Sequence, residues 1–424
     1  MTCTNTTGGR TCGACPQDYH GDGDTGCIPF WLLRIRSRLA DLPSTASADD
    51  TASDIALDGS GNIHVTGVTA GNLNGVYDRF VATYDRSRHL QWTSTLSWVD
   101  AHGSRSPVQP AALTSDSGAN VYVAGRTYDG RAALMKLGAA GEQKWIADPG
   151  LSNAWTHVAT DTKDGVYVVG STFDPNTMVR SSIVAKIDST GQTQWTRDPR
   201  AGASGGGPTR VASDANGNVY VCGWTADSLD GATPQGGYDV FIAKYDRDGQ
   251  NQWLRLFGSS GDDTPVDMAI DASGNTYVLG TTKAASGAMA TPDAFLLKCG
   301  TVGDLQWMRP IAVGSSEVLI DLAADANGNA YVMSSTNAVS ATNTNVAYVS
   351  VAAYDGKGAQ RWTQPIGPRP FDQGGCMTVD ADANVYVATN VHVGDYQPQG
   401  GDVSPWYFGD DVFIYKLDSA GNQL

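Results

Sequence analysis

Residues 210–223 read RVASDANGNVYVCG. An apolar pair, Val211-Ala212, leads to Asp214, a Gly/Asn turn follows, and an apolar run from Val219 through Tyr220 to Cys222 ends at Gly223. Side chains on a strand alternate between its two faces. An Asp at a turn caps the turn's own amides, and Gly and Asn tolerate positive φ. The stretch therefore predicts two short antiparallel strands joined tightly. Working outward, the pattern recurs seven times, with its turn-opening Asp at Asp58, Asp116, Asp161, Asp214, Asp271, Asp325 and Asp380, 45 to 58 residues apart. A second pattern follows each, as in DVFIAKYDRDGQNQW at 239–253. It ends in six units on Trp92, Trp145, Trp195, Trp253, Trp307 and Trp362.

Each unit thus offers four strands; in the fourth they are 210–213, 219–224, 239–246 and 251–257. Repetition of such a unit with no helical segment between predicts an all-β, seven-bladed β-propeller of four-stranded antiparallel blades. A linear solenoid fits less well, because its repeats are usually shorter and its ends need atypical caps. The combined motif, D-A-x-G-N-x-Y-V-x-G and then D-x-F-x-A-K-x-D-x-x-G-x-x-x-W, resembles the bacterial SBBP-type β-propeller repeat over roughly residues 50–424. That resemblance implies an architecture and supplies no general catalytic residues. The seventh unit stops at Leu424, where its Trp strand should begin, and Phe30-Trp31-Leu32-Leu33-Arg34-Ile35 precedes the first unit. Residues 30–35 are therefore expected to complete the last blade and close the ring; a short amphipathic helix over 28–39 is the alternative. The domains expected are a Cys-rich segment, 1–29, and the propeller, 30–424.

Four of seven cysteines, Cys3, Cys12, Cys15 and Cys27, fall in that first segment, which has too few apolar residues for a core. Disulfides are the usual way to hold such a segment, in an unspecified choice of three pairings. The run CGACPQDYHGDGDTGC resembles the C-terminal half of bacterial EGF-like modules. Zinc on Cys12 and Cys15 lacks a second ligand pair at conventional spacing. Asp18, Asp22 and Asp24 form either a solvated acidic loop or a structural calcium site. Disulfides imply an extracellular or cell-surface location, although Met1-Thr2-Cys3 carries no export signal.

Composition excludes several classes. The formal charge is −16, which argues against nucleic-acid binding through basic patches. No apolar run approaches the roughly 18–20 residues of a membrane helix, so no membrane insertion is expected. Gly is abundant, 50 of 424 residues, which repeated turns explain. The repeated Lys (Lys136, Lys186, Lys244, Lys298, Lys416) reads as scaffold chemistry pairing with turn carboxylates, and the repeated Trp as packing between blades.

Candidate sites lie where the repeat varies. The turns within each strand pair are uniformly short, and all length variation falls in the opposite connections, the long-loop face, where binding residues usually sit. Trp98, Trp155 and Trp224 map there, as do Tyr396, Trp406, Tyr407 and Phe408 of the insertion DYQPQGGDVSPWYFGDD, 395–411. Such aromatics suit protein contact or sugar stacking, or they bury themselves on their own blade. Four residues before each turn Asp stand Asp54, Ala112, His157, Arg210, Asp267, Asp321 and Cys376. Asp54, His157, Arg210, Asp267 and Asp321 are expected near the channel mouth on the long-loop side, holding a hard cation or an amine, or pairing across the ring.

Enzyme motifs match poorly. Ala185-x-x-Asp188-x-Thr190-Gly191-x-x-x-Trp195 is similar to the docking motif of quinoprotein propellers, but its Asp is one residue late and no Cys-Cys pair accompanies it. A sialidase Asp box needs Gly three before Trp, and the gap here is four. No Ser/His/Asp set, phosphate loop or tight metal cluster is defensible from spacing. The sequence thus points to a non-enzymatic extracellular binding or assembly module without a cofactor, engaging a protein partner or a larger surface assembly. A carbohydrate-binding propeller and a propeller enzyme, quinoprotein or hydrolase, are the alternatives.

Overall fold

The computed structural model of the chain describes residues 3–6, 9–12, 19–22, 26–29, 32–35, 50–73, 76–99, 105–147, 154–174, 179–199, 206–283, 293–311, 317–339, 345–366, 372–392 and 410–424. Seven antiparallel sheets follow one another along the chain, six of them with their strands in sequence order from the innermost outward and the seventh with its outermost strand from the N-terminal end. Blade 1 comprises Asp50–Leu57, Ile63–Leu73, Val76–Tyr84 and Leu90–Thr95. Blade 2 comprises Arg105–Ser115, Val121–Thr127, Ala132–Leu137 and Gln143–Ala147, with Ser97–Val99 added beside its first strand. Blade 3 is built from Trp155–Thr160, Val166–Asp174, Val179–Ile187 and Thr193–Arg197. Blade 4 uses Gly206–Ser213, Val219–Thr225, Asp239–Tyr245 and Asn251–Phe257, and blade 5 uses Asp262–Ile270, Thr276–Lys283, Asp293–Cys299 and Leu305–Ile311. Blade 6 has Glu317–Ala324, Ala330–Val339, Asn345–Tyr354 and Gln360–Ile366; blade 7 has Asp372–Val379, Val385–His392 and Asp410–Leu417 from the C-terminal end.

The fourth strand of blade 7 comes from the other end of the chain. Leu32–Ile35 pairs antiparallel with Asp410–Leu417, setting Leu32 opposite Tyr415 and Ile35 opposite Val412. The helical alternative for 28–39 is therefore wrong where the chain is described: residues 32–35 are strand. Alternation explains the choice, because Leu33 and Ile35 both bury their side chains in the interface between blades 7 and 1. Trp31 lies outside the described residues. At the C-terminal end, Leu417 bridges Gln423, and the Leu424 amide donates to the Lys416 carbonyl. The outer edge of blade 7 is thus shared by the two ends of the chain.

Packing lies between blades. Seven apolar clusters are found among the described residues, one for each interface around the ring, including that between blades 7 and 1. Each sheet covers both its faces with neighbours, so its middle strands are apolar on both sides, as in Val219–Thr225, buried at six of seven positions. Within the cysteine segment, Cys3–Thr6 pairs with Gly9–Cys12, placing Cys3 opposite Cys12, and Tyr19–Asp22 pairs with Gly26–Pro29. Cys15, Asp18 and Asp24 lie outside the described residues. Cys222, Cys299 and Cys376 are buried free thiols within the blades.

Candidate functional site

Two sets of groups repeat on the short-turn face. In blade 4, Asp214 Oδ1 accepts the amides of Asn216 and Asn218 at 2.9 Å, and Oδ2 accepts Asn218 Nδ2 at 2.7 Å and the Tyr220 hydroxyl at 3.2 Å. Gly217 takes φ +83°, the left-handed backbone that the turn requires. The same Asp–Tyr contact occurs in blades 2 to 7, and His64 stands in for Tyr beside Asp58 in blade 1. Burial alone would raise Asp58, but the His64 imidazole 3.7 Å away and hydrogen bonds from Asn62 outweigh it and hold the carboxyl at about 2. Three of the five repeated Lys pair with turn carboxylates as the sequence suggests, Lys136, Lys298 and Lys416 lying 3.5–3.8 Å from Asp116, Asp271 and Asp380, whereas Lys186 and Lys244 donate to the Arg247 and Thr301 carbonyls of the next blade. Lys136 also sits over the Tyr122 ring.

The repeated Trp side chains stitch each blade to the next. Trp253 of blade 4 donates its indole N–H to the Thr301 carbonyl of blade 5 at 3.1 Å, and its ring covers Gly303 so closely that a Cβ there would stand 3.0 Å away. Trp92, Trp145, Trp195, Trp307 and Trp362 make the equivalent bond. These groups are scaffold.

The seven first-strand residues singled out by register occupy one level of the ring. Each follows a slip in the pairing of first and second strands, between Ala52 and Asp54, Pro208 and Arg210, or Pro265 and Asp267, for example. Such a bulge re-aims the residue after it. They stand part-way along the innermost strands, not at their ends: Asp267 lies inside Asp262–Ile270 and Asp321 inside Glu317–Ala324. Each polar member reaches the next blade. Asp54 Oδ2 accepts the Leu113 amide at 2.7 Å, Asp267 Oδ2 the Leu322 amide at 2.9 Å, and Asp321 Oδ2 the Met377 amide at 2.5 Å. His157 Nδ1 meets the Val211 carbonyl at 3.1 Å, and Arg210 Nε donates to Asp267 Oδ1 at 2.6 Å.

These contacts decide the electrostatics. Burial pushes Asp54 up to about 7, against the pull of its two amide donors, Leu113 and Ile55. Burial also acts on Asp267, but the Arg210 guanidinium outweighs it and keeps this carboxyl low. Asp321 is driven well above the carboxylate range by burial and then by Asp267 beside it. Burial, with Arg210 nearby, depresses His157 to about 4. The carboxylate oxygens are taken up by main-chain donors and, at Asp267 Oδ1, by Arg210, and among the described residues no three His, Cys, Asp or Glu side chains converge as a metal site would need. The level works as a circumferential staple with displaced proton affinities.

The aromatic candidates separate. Trp155 is buried in the interface between blades 2 and 3, because it begins an innermost strand whose side chain faces that interface; it offers no surface. Nearby, a cavity of about 440 Å³ lies between these blades, lined by Trp145, Trp155, Ile187 and Gln192 among others. Trp98 pairs opposite Ser106 and packs, half-buried, on the apolar cluster between blades 1 and 2. Tyr396, Trp406, Tyr407 and Phe408 lie outside the described residues. Trp224 remains: it stands where the second and third strands of blade 4 part, and its ring meets Tyr238 edge-on with centroids 4.7 Å apart. Tyr238 is 37% exposed. The loop between them is ordered by the buried Leu229, by its paired hydrogen bonds with Ala232, and by the Gly237 amide donating to Gly261 of blade 5. Sequence reasoning missed Tyr238, whose only signal was its place just before the third strand.

Comparisons with known proteins accord with this architecture. Two segments, 44–74 and 252–287, match the SBBP β-propeller repeat. A stretch of 99 residues is 30% identical to the regulatory protein FlaEY of Caulobacter vibrioides, covering 22% of this chain and only 10% of that protein. Among solved structures, the polysaccharide lyase Uly1 superposes with a TM-score of 0.55 at 10% identity over 91% of this chain and 97% of its own. An ulvan lyase of polysaccharide lyase family PL25 gives 0.53 at 11% identity, over 88% and 95%. A puromycin hydrolase gives 0.53 at 12% identity, over 90% of this chain and 54% of that one. At these identities the likeness is one of fold. It nevertheless corrects the expectation that the chain is not an enzyme: lyases and hydrolases stand on this frame, so a repeat without catalytic motifs does not exclude catalysis.

Proposed function

We propose that the chain engages glycans, holding a saccharide against Trp224 and Tyr238 on the long-loop face of blade 4. The observation that carries this reading is the edge-on pair itself, an aromatic corner with an exposed Tyr ring on an ordered loop. A sugar ring presents an apolar C–H face that stacks on an aromatic and a rim of hydroxyls that need hydrogen bonds. Ser228, Asp230, Thr233 and Gln235 are exposed in the same loop and supply hydroxyl, carboxylate and amide groups for that rim. The polysaccharide lyases above are consistent with a propeller handling such polymers. A glycan array identifies the saccharide, titration calorimetry measures it, and the supernatant is assayed for cleaved chains. Trp224→Ala and Tyr238→Ala should each weaken binding about tenfold, close to 1.4 kcal/mol. An array without a binder, or affinity unchanged in both variants, overturns the proposal.

A further inference from the structure

Beside this corner, two carboxylates from neighbouring blades are buried together. Asp239 opens the third strand of blade 4 and Asp263 lies in the first strand of blade 5; each is 1% exposed. Asp239 Oδ2 accepts the Gln235 amide at 2.9 Å, and Asp263 Oδ2 accepts the amide and hydroxyl of Ser259 at 2.6 and 2.9 Å. The other oxygen of each, Asp239 Oδ1 and Asp263 Oδ1, is buried with no hydrogen-bond donor. The segments are tied locally, with the Asp263 amide donating to the Tyr238 carbonyl at 2.6 Å. Gly258 leaves the space: a Cβ there would come within 2.4 Å of Asp239 Oδ1. Burial and then the carboxylate of Asp263 raise Asp239, although the Gln235 amide opposes them.

A buried carboxylate oxygen without a donor is costly, and two side by side add repulsion. Protein interiors meet that cost with a proton, an ordered water or a cation, and oxygen-only ligands suit a hard divalent ion. We infer that Asp239 and Asp263 hold a calcium-like cation through their donorless oxygens, clipping blade 4 to blade 5 beneath the long-loop face. Water and main-chain oxygens complete its shell. The same two positions recur at the ring closure, where Asp411 is the second residue of the third strand of blade 7 and Asp50 lies in the first strand of blade 1, both buried. The inference stands without the glycan reading, since it rests on these carboxylates and not on the aromatic pair.

The test uses the full chain stripped with a chelator. Terbium, a luminescent substitute for calcium, should be sensitised by the nearby Trp224 and displaced by calcium, and calcium alone should raise the melting temperature. Asp239→Asn and Asp263→Asn should each cut terbium and calcium affinity at least tenfold and abolish the melting shift. In chelator, both variants should melt no lower than the parent, because the repulsion is relieved; this separates loss of the ion from loss of the fold. No calcium-induced shift in the parent, or a shift that survives in both variants, overturns the proposal. A pair sharing a proton would give the first of these results.

Discussion

The short-turn rim and the inner level of the ring are built from the same repeat and behave differently. On the rim, every blade from 2 to 7 places Asp, then Tyr six residues on, and the Trp of blades 1 to 6 lies on the following blade's turn. On the inner level, one register position holds Asp54, Ala112, His157, Arg210, Asp267, Asp321 and Cys376. The rim repeats because each blade must meet its neighbour in the same way. The inner level varies because a bulged position needs only to satisfy a main-chain group or a partner on the next blade, which Asp, His and Arg each do differently.

Both levels depend on closure, so the largest effect belongs there. Ile35→Asp should lower stability by about 4–5 kcal/mol, by placing an unpaired charge in the interface of blades 7 and 1. Chemical denaturation measures it, and an unchanged midpoint would show that strand 32–35 is dispensable and the ring tolerates a gap. On the rim, Trp253→Ala should cost roughly 3–5 kcal/mol, and Trp92→Ala less, since Trp253 is buried and Trp92 half-buried. Equal losses would mean that the indole hydrogen bond, common to both, outweighs packing.

The smallest effect sharpens the inner level. Asp54 is near 7 in the fold and near 4 when unfolded, so the folded chain binds more protons between those values. Its contribution to stability is fully present below about pH 4 and is lost as pH rises through about 7. Asp54→Asn should remove that slope, which urea melts at steps from pH 4 to 8 would register as a flatter profile than the parent's. His157, depressed to about 4, works in the opposite sense: its contribution is present above about 6.5 and is lost as pH falls toward 4. A profile unaltered in the Asn variant would indicate that Asp54 remains ionised.

Much of the architecture was legible in the chain because its signals are short-range. The turn Asp reaches amides two and four residues on and the Tyr six residues on, so one repeat contains the whole interaction. Strand 32–35 was legible too, as a missing piece at one end and an extra one at the other. The candidate site was less so. Trp98, Trp155 and Trp224 look alike in sequence, and only the partner across the blade interface separates a packed Trp98 and a buried Trp155 from a Trp224 that meets an exposed Tyr.

The sequence by itself determined the repeat, the turn chemistry, the blade count and the order of strands, all of which rest on contacts within a few residues or on simple periodicity. Tertiary structure alone decided which residue each blade meets next door, where the bulges re-aim the inner level, and that Asp239 and Asp263 lie buried together. Those depend on packing between segments brought together only by the closed ring, and no spacing along the chain encodes the surroundings that a side chain finds there.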